Sequence, residues 1–265
     1  MKLGLKRGRI ARLLILAMAP MMVTLAIAEE IHVASSGGFA AAYRALAPGF
    51  EARTGHKLVA VWGPSMGETS GAIPKRLDRG EPIDVVIMVG DALDKLVSLG
   101  RVENAGHRLL ANSKIGVAVP TGSPKPDVST VEGLKQALLN ARSIAYSDSA
   151  SGEYLSKVLF PRLGVAEQIK DRSHMIPAEP VAQVVARGDA DLGFQQVSEL
   201  LPIPGIDFLG EIPEETQQLT PFSAGVVTSA KDHAAAQALI DYLTSDEAMP
   251  VIRKTGLTPA VATSR

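Results

Sequence analysis

Val85-Val86-Ile87-Met88-Val89 is five residues with no polar position. A strand with one face in water alternates apolar and polar residues. A run that does not alternate, bounded by turn residues, reads as a strand covered on both faces. Upstream of it, a helix is expected over 72–79 with Gly80 in the C-cap region. Downstream, a helix over 92–99 stops at Gly100. The same alternation extends outward. Toward the N-terminus come a strand at 31–34, a helix over 39–54 ended by Gly55 and a strand at 57–62. Toward the C-terminus come strands at 115–119, 143–146, 192–195 and 224–228. Between and after them lie helices over 131–140, 152–163, 181–187, 234–244 and 246–254. Strand–helix alternation predicts an α/β fold with parallel sheets covered on both faces. Segments 120–128 and 201–210, rich in Pro, Ser and Gly, read as connections.

The chain has 265 residues, 46% of them apolar, which suits one large domain or two lobes and excludes disorder. It has no cysteine, so disulfides, thiol nucleophiles and thiolate metal sites are excluded. Its five histidines (His32, His56, His107, His174, His233) contain no i, i+4 pair, so a helical metal site is not expected. No cofactor motif is present: there is no phosphate loop, no dinucleotide glycine fingerprint and no Gly-x-Ser-x-Gly elbow. Five of the 27 bases lie in residues 1–28, which hold no acid, leaving 22 bases against 28 acids, a net −6. That sign, with only 4% aromatics, argues against nucleic-acid binding.

Residues 1–28 read as a secretory signal peptide. Basic residues end at Arg12, a largely apolar run follows, and Ala26-Ile27-Ala28 offers a small-x-small cleavage site before Glu29. The run is shorter than a membrane span requires. The mature protein is expected to be exported to the periplasm.

Four loops could carry a site, each where a strand gives way to a helix. Ser35-Ser36-Gly37-Gly38 leaves backbone N–H groups open at a helix start, which favours an anion. Ser65-Met66-Gly67-Glu68-Thr69 falls on the same sheet edge, the one at which open α/β sheets bind ligands. Ser147-Asp148-Ser149-Ala150-Ser151-Gly152 supplies hydroxyl and amide donors, and ordinary helix capping would explain it equally. Gln195 and Gln196 end a strand, so their amides face either solvent or a ligand. The acid pairs Glu214-Glu215 and Asp189/Asp191 read as solvated surface, and Trp62, Met66 and His174 as packing.

Several stretches resemble the type II periplasmic solute-binding proteins, and within them the molybdate-binding family. They are Ile31-His32-Val33-Ala34-Ser35-Ser36, Phe50-Glu51-Ala52-Arg53-Thr54-Gly55, the Gly-x-Pro-x-Asp-Val run Gly80-Glu81-Pro82-Ile83-Asp84-Val85, Pro177-Ala178-Glu179-Pro180-Val181, Arg187-Gly188-Asp189-Ala190-Asp191-Leu192-Gly193 and Leu243-Thr244-Ser245-Asp246-Glu247-Ala248. The resemblance covers almost the whole mature chain. It implies two α/β lobes that close on a ligand: 29–119 plus 222–265, and 120–221. It also implies ligand contacts from the first-loop serines (Ser35, Ser36), Ser65, the loop Ser149–Gly152 and the backbone amide of Val181.

Two positions depart from that pattern. Gln196 replaces a tyrosine, and Met66-Gly67-Glu68-Thr69 replaces a serine- or glycine-rich continuation. Both point away from a compact tetrahedral oxyanion such as molybdate. The pattern around 193–200 is similar to a subgroup that includes the aconitate isomerases, which implies a small polycarboxylate ligand and a 1,3-proton shift. Such a shift needs a group to remove and return a proton. Glu68, Asp148, Glu153 and Tyr146 stand in or beside the loops and are the candidates. The alternative is the substrate-binding component of an ABC transporter for molybdate or another small anion, with a membrane partner.

Overall fold

The structure, a computed structural model, describes residues 29–177 and 179–260; the expected signal peptide lies outside them. The chain opens with β1 (Glu30–Ser35), α1 (Gly37–Thr54), β2 (Lys57–Trp62), α2 (Ile73–Asp78), β3 (Val85–Val89) and α3 (Gly90–Ser98). Next come β4 (Arg108–Ser113), β5 (Ile115–Pro120), α4 (Val131–Asn140), β6 (Ile144–Ser147) and α5 (Ala150–Tyr154). A π-turn segment (Leu155–Leu159) leads into α6 (Phe160–Arg162), α7 (Ala166–Ile169) and β7 (Ser173–Ile176). The remainder is α8 (Val181–Ala186), β8 (Leu192–Gln196), α9 (Val197–Leu200), β9 (Ile206–Glu211), β10 (Thr220–Val226), α10 (His233–Leu243), α11 (Ala248–Lys254) and β11 (Thr258–Pro259).

The strands form two sheets. The first runs β11-β4-β10-β3-β1-β2 and the second β7-β6-β8-β5-β9. All five residues of β3 are buried, as its unbroken apolar run requires. Helices pack over both sheets, and the fold is a two-lobed α/β architecture.

The sheets are mixed, not parallel as the alternation predicts. β10 lies antiparallel between β3 and β4, and β5 lies antiparallel between β8 and β9. Each of these strands follows a long connection or a sheet change instead of a βα crossover, so nothing constrains it to run parallel. Ile115–Pro120, grouped by sequence with the first lobe, pairs in the second sheet, so the change of sheet falls at Lys114. The expected helix over 152–163 is interrupted. Pro161 lacks the N–H that would close on Lys157, and the backbone widens into π turns just before it.

The chain crosses between sheets at Lys114 and again over 213–219, and these crossings are tied together. The Lys114 ammonium bridges Glu211 and Glu214, each at 2.9 Å. The Gln217 amide brackets Ile115, accepting its N–H at 3.0 Å and donating to its carbonyl at 2.8 Å.

Each lobe has its own core. Phe39, Phe50, Leu239 and Ile240 anchor the first, and Leu134, Leu138, Leu159 and Phe194 the second. Burying each such side chain contributes about 1.5–3 kcal/mol. Asp84 of the Gly-x-Pro-x-Asp-Val run is structural. Its carboxylate accepts the His32 and Lys231 backbone N–H groups, both at 2.8 Å, and so pins β1 and the turn after β10 to the start of β3.

Candidate functional site

The parallel strands β1, β2 and β3 of one sheet and β6 and β8 of the other end on the same opening. A cleft of about 450 Å³ lies there. From the first sheet it is lined by Ser36, Gly37 and Gly38 after β1, by Trp62–Ser65 and Thr69–Gly71 after β2, and by Val89. From the second it takes Ser147, Asp148 and Ser149 after β6, then Glu179 and Pro180 before α8, and Gln195 and Glu199 around the end of β8. Ligands of open α/β sheets bind at these carboxyl ends. A larger cavity of about 580 Å³ lies at the other end of β6 and β8, lined by Lys125, Asp127, Arg142 and Asp191 among others. Its charges are satisfied locally: Lys125 pairs with Asp207 and Arg142 with Asp191.

The cleft walls are rich in uncharged donors. Ser36 is the N-cap residue of the 18-residue helix α1 and is 4% exposed, and its Oγ has no hydrogen-bond partner. A buried orphan hydroxyl beside a long helix's N-terminus favours an anionic oxygen. Ser65 is oriented from within: its Oγ accepts the Val89 N–H at 2.9 Å, leaving its own O–H to donate elsewhere. Trp62, read by sequence as packing, forms part of the rim, with the Arg44 guanidinium 4.3 Å from the centre of its ring.

Three carboxyl groups share this space. Glu179 is paired with the Arg187 guanidinium, which holds its pKa below the usual carboxylate range. Asp148 sits in the β6–α5 turn. Glu199 lies in the four-residue helix α9, half-buried, with its Oε1 lying against Gly37 at the start of α1. A Cβ on Gly37 would overlap Glu199 Oε1, so only glycine leaves room for the carboxylate in this position. Gln195 supports it from the other side. The Ala182 N–H donates to Gln195 Oε1 at 3.3 Å, which turns the amide nitrogen toward Glu199 as a donor. Burial pushes the Glu199 pKa up to about 7, the Gln195 hydrogen bond opposes this, and the negative charge of Asp148 adds to it. The lobes touch here: α9 also carries Ser198, whose Oγ donates to the Gly38 carbonyl at 2.7 Å.

Of the residues singled out by sequence, the structure brings together Ser36, Gly37, Gly38, Ser65, Thr69, Ser147, Asp148, Ser149 and Gln195. The others lie elsewhere. Ser35 is fully buried, its Oγ donating to the Ser36 carbonyl. Met66 packs beside the first core, and Gly67 is an exposed positive-φ turn residue. Ser151 bonds Ser147 at 3.0 Å, and Gly152 lets α5 pack on the Ser147 carbonyl. The Val181 side chain is buried in the second lobe, while its backbone N–H stands at the start of α8, directly after Pro180 of the cleft lining. Gln196 reaches Thr220 at 3.0 Å, on the strand that re-enters the first sheet, and its Oε1 is buried without a partner. Among the proton-transfer candidates, Glu68 is exposed and paired with Lys75, and Glu153 is exposed and paired with Lys157. Tyr146 packs edge-on against Phe160. Glu199, Glu179 and Trp62 are cleft residues that sequence reasoning did not select.

Among the described residues no cluster of His, Cys, Asp or Glu is arranged to hold a metal ion, and no helix is long and apolar enough to cross a membrane.

Comparison with known proteins agrees with this architecture. An aconitate isomerase from a Pseudomonas species is 48% identical over 249 residues, 94% of this chain and 95% of that one. The molybdate-binding protein ModA of Azotobacter vinelandii is 29% identical across 93% of this chain and 97% of its own length. The solved periplasmic molybdate-binding protein of Azotobacter vinelandii superposes with a TM-score of 0.70 at 21% identity, covering 87% of this chain and all of that one, a likeness of fold. The family described as bacterial extracellular solute-binding protein matches residues 31–258. With two sheets whose strand ends converge on one cleft and a family match along nearly all of the described residues, this chain belongs to the bacterial extracellular solute-binding proteins.

Proposed function

We propose that this protein is an isomerase that interconverts cis- and trans-aconitate by a 1,3-proton shift in the cleft between its lobes. The observation that carries this reading is the company the cleft donors keep. Ser36, Ser65 and Gln195 share the cleft with Asp148 and Glu199. A site built only to carry a fully ionised oxyanion gains nothing from carboxyl groups, because like charges in a confined space repel. A site that moves a proton between two carbons requires a group of this kind. The 48% identity to an aconitate isomerase over almost the whole of both chains supports the substrate.

The hydroxyl and amide donors would hold the substrate carboxylates, and the start of α1 would offset part of their charge. We take the lobes to divide at Lys114 and within 213–219 and to close over the substrate about these paired crossings. The Ala26-Ile27-Ala28 cleavage pattern supports export to the periplasm. The alternative, delivery of an anion to an ABC transporter's membrane component, is favoured by the molybdate-binding relatives and by the fold. Nuclear magnetic resonance of the mature chain incubated with trans-aconitate separates the two. The isomerase reading expects signals of cis-aconitate to grow in. Binding without any change in the spectrum of the bound compound would favour transport.

A further inference from the structure

We propose that Glu199 is the catalytic residue that carries the proton between the two carbons, and that Gln195 is the positioning residue that aims it. This assignment rests on the isomerase reading and deepens it. Of the three carboxyl groups lining the cleft, Glu179 is neutralised by Arg187. Asp148 sits at the mouth of a helix-capping turn among serines. Glu199 is built in from several elements at once. Gly37 of the first lobe leaves the space for its carboxylate. Gln195, itself 3% exposed, has its amide orientation fixed by the Ala182 N–H. Ser198, one residue earlier, locks α9 to the Gly38 carbonyl. A carboxylate held by both lobes faces the substrate only when the cleft is assembled, as proton transfer to and from carbon requires.

The step balances without an oxidant, reductant or metal. The Glu199 carboxylate takes a proton from the substrate methylene. The C–H electron pair spreads over the allylic system into the conjugated carboxylates. The protonated Glu199 then gives the proton to the carbon at the far end, the double bond moves by one position, and the carboxylate is regenerated. The Ser36 hydroxyl and the N-terminus of α1 face the charge that accumulates on the substrate carboxylates meanwhile.

The test compares wild type with Glu199→Gln, Glu199→Asp, Gln195→Met and Asp148→Asn, each checked for folding by circular dichroism. Wild-type kcat/KM should rise with pH to a plateau, with a midpoint near neutrality. Glu199→Gln should lower kcat by about 10²-fold or more with KM within threefold, and Glu199→Asp should fall between the two. Gln195→Met should move the midpoint upward, since the hydrogen bond that favours the ionised form is gone, whereas a merely structural loss would lower the plateau without moving the midpoint. Asp148→Asn should move the midpoint downward. A second readout does not depend on turnover. At pH 7, calorimetry of propane-1,2,3-tricarboxylate, a saturated analogue, in two buffers of different ionisation enthalpy should show proton uptake in wild type and none in Glu199→Gln. Retained turnover in Glu199→Gln, loss of turnover in Asp148→Asn instead, or equal proton uptake in wild type and Glu199→Gln would each overturn the assignment alone. Wild-type protein that interconverts neither aconitate isomer would overturn the isomerase reading and the assignment together.

Discussion

Replacing Glu199 by glutamine should change how stability depends on pH, by an amount the structure sets. Burial against Gly37 and the nearby Asp148 charge raise the Glu199 pKa from the ordinary glutamate value of 4.5 to about 7. The folded protein then holds a proton that the unfolded chain releases. Where the native state binds more protons, stability falls as pH rises. The loss begins near 4.5 and is complete above 7. At about 1.4 kcal/mol for each tenfold difference, the interval between 4.5 and 7 corresponds to ~3 kcal/mol. Glutamine keeps the shape and the amide contacts but cannot ionise, so it escapes this loss. Whatever fixed offset the new side chain brings is the same at both pH values and cancels. Urea unfolding of wild type and Glu199→Gln at pH 4.5 and pH 8, followed by two probes to verify a single transition, yields the four free energies. The variant should gain ~3 kcal/mol on wild type between the two pH values. A gap that stays constant within about 0.5 kcal/mol would refute the proton-holding Glu199.

Three further outcomes follow from named contacts. Ser65→Ala leaves the buried Val89 N–H without its acceptor and should cost ~1–3 kcal/mol in urea unfolding, besides removing a cleft donor. Gly37→Ala collides with the flexible end of Glu199 and not with backbone, so a thermal melt should barely move while aconitate turnover falls. Molybdate should bind with Kd weaker than micromolar by calorimetry at pH 8, where Glu199 and Asp148 face it as anions, and Glu199→Gln should tighten it.

Local patterning made most of the elements legible in the sequence. The unbroken run Val85–Val89 read as a buried strand, and Gly55, Gly80 and Gly100, all at positive φ, marked helix ends. Elements whose stability comes from distant partners were not legible. Ile206–Glu211 follows Pro202, Pro204 and Gly205 and reads as a connection, yet it becomes an edge strand because β5 offers it a free ladder. Arg108–Ser113 ends in polar residues and is held by β10 and β11 from the far end of the chain. No local pattern encodes strand direction, so β5 and β10 were expected to be parallel.

The same divide runs through the site. Ser36, Ser65, Asp148, Ser149 and Gln195 stand at strand–helix junctions, and that position alone was enough to select them. Glu68 and Glu153 occupy similar junctions, but lysines at positions 75 and 157 draw them to the surface. Glu199 is one acid in a short helix, and its chemistry comes from Gly37, Asp148 and Gln195, up to 162 residues away. The available signal was an acid in the first turn after a strand that ends in two glutamines.

The most direct test of the central claim starts wild-type protein separately from pure cis- and pure trans-aconitate and follows both mixtures by nuclear magnetic resonance to completion. A catalyst of the proton shift brings both to the same ratio of isomers, at a rate proportional to protein concentration and unchanged after exhaustive dialysis against a chelator. Two solutions that keep their starting isomer, from protein that is folded and binds molybdate tightly, would contradict the account and make this chain a carrier of anions.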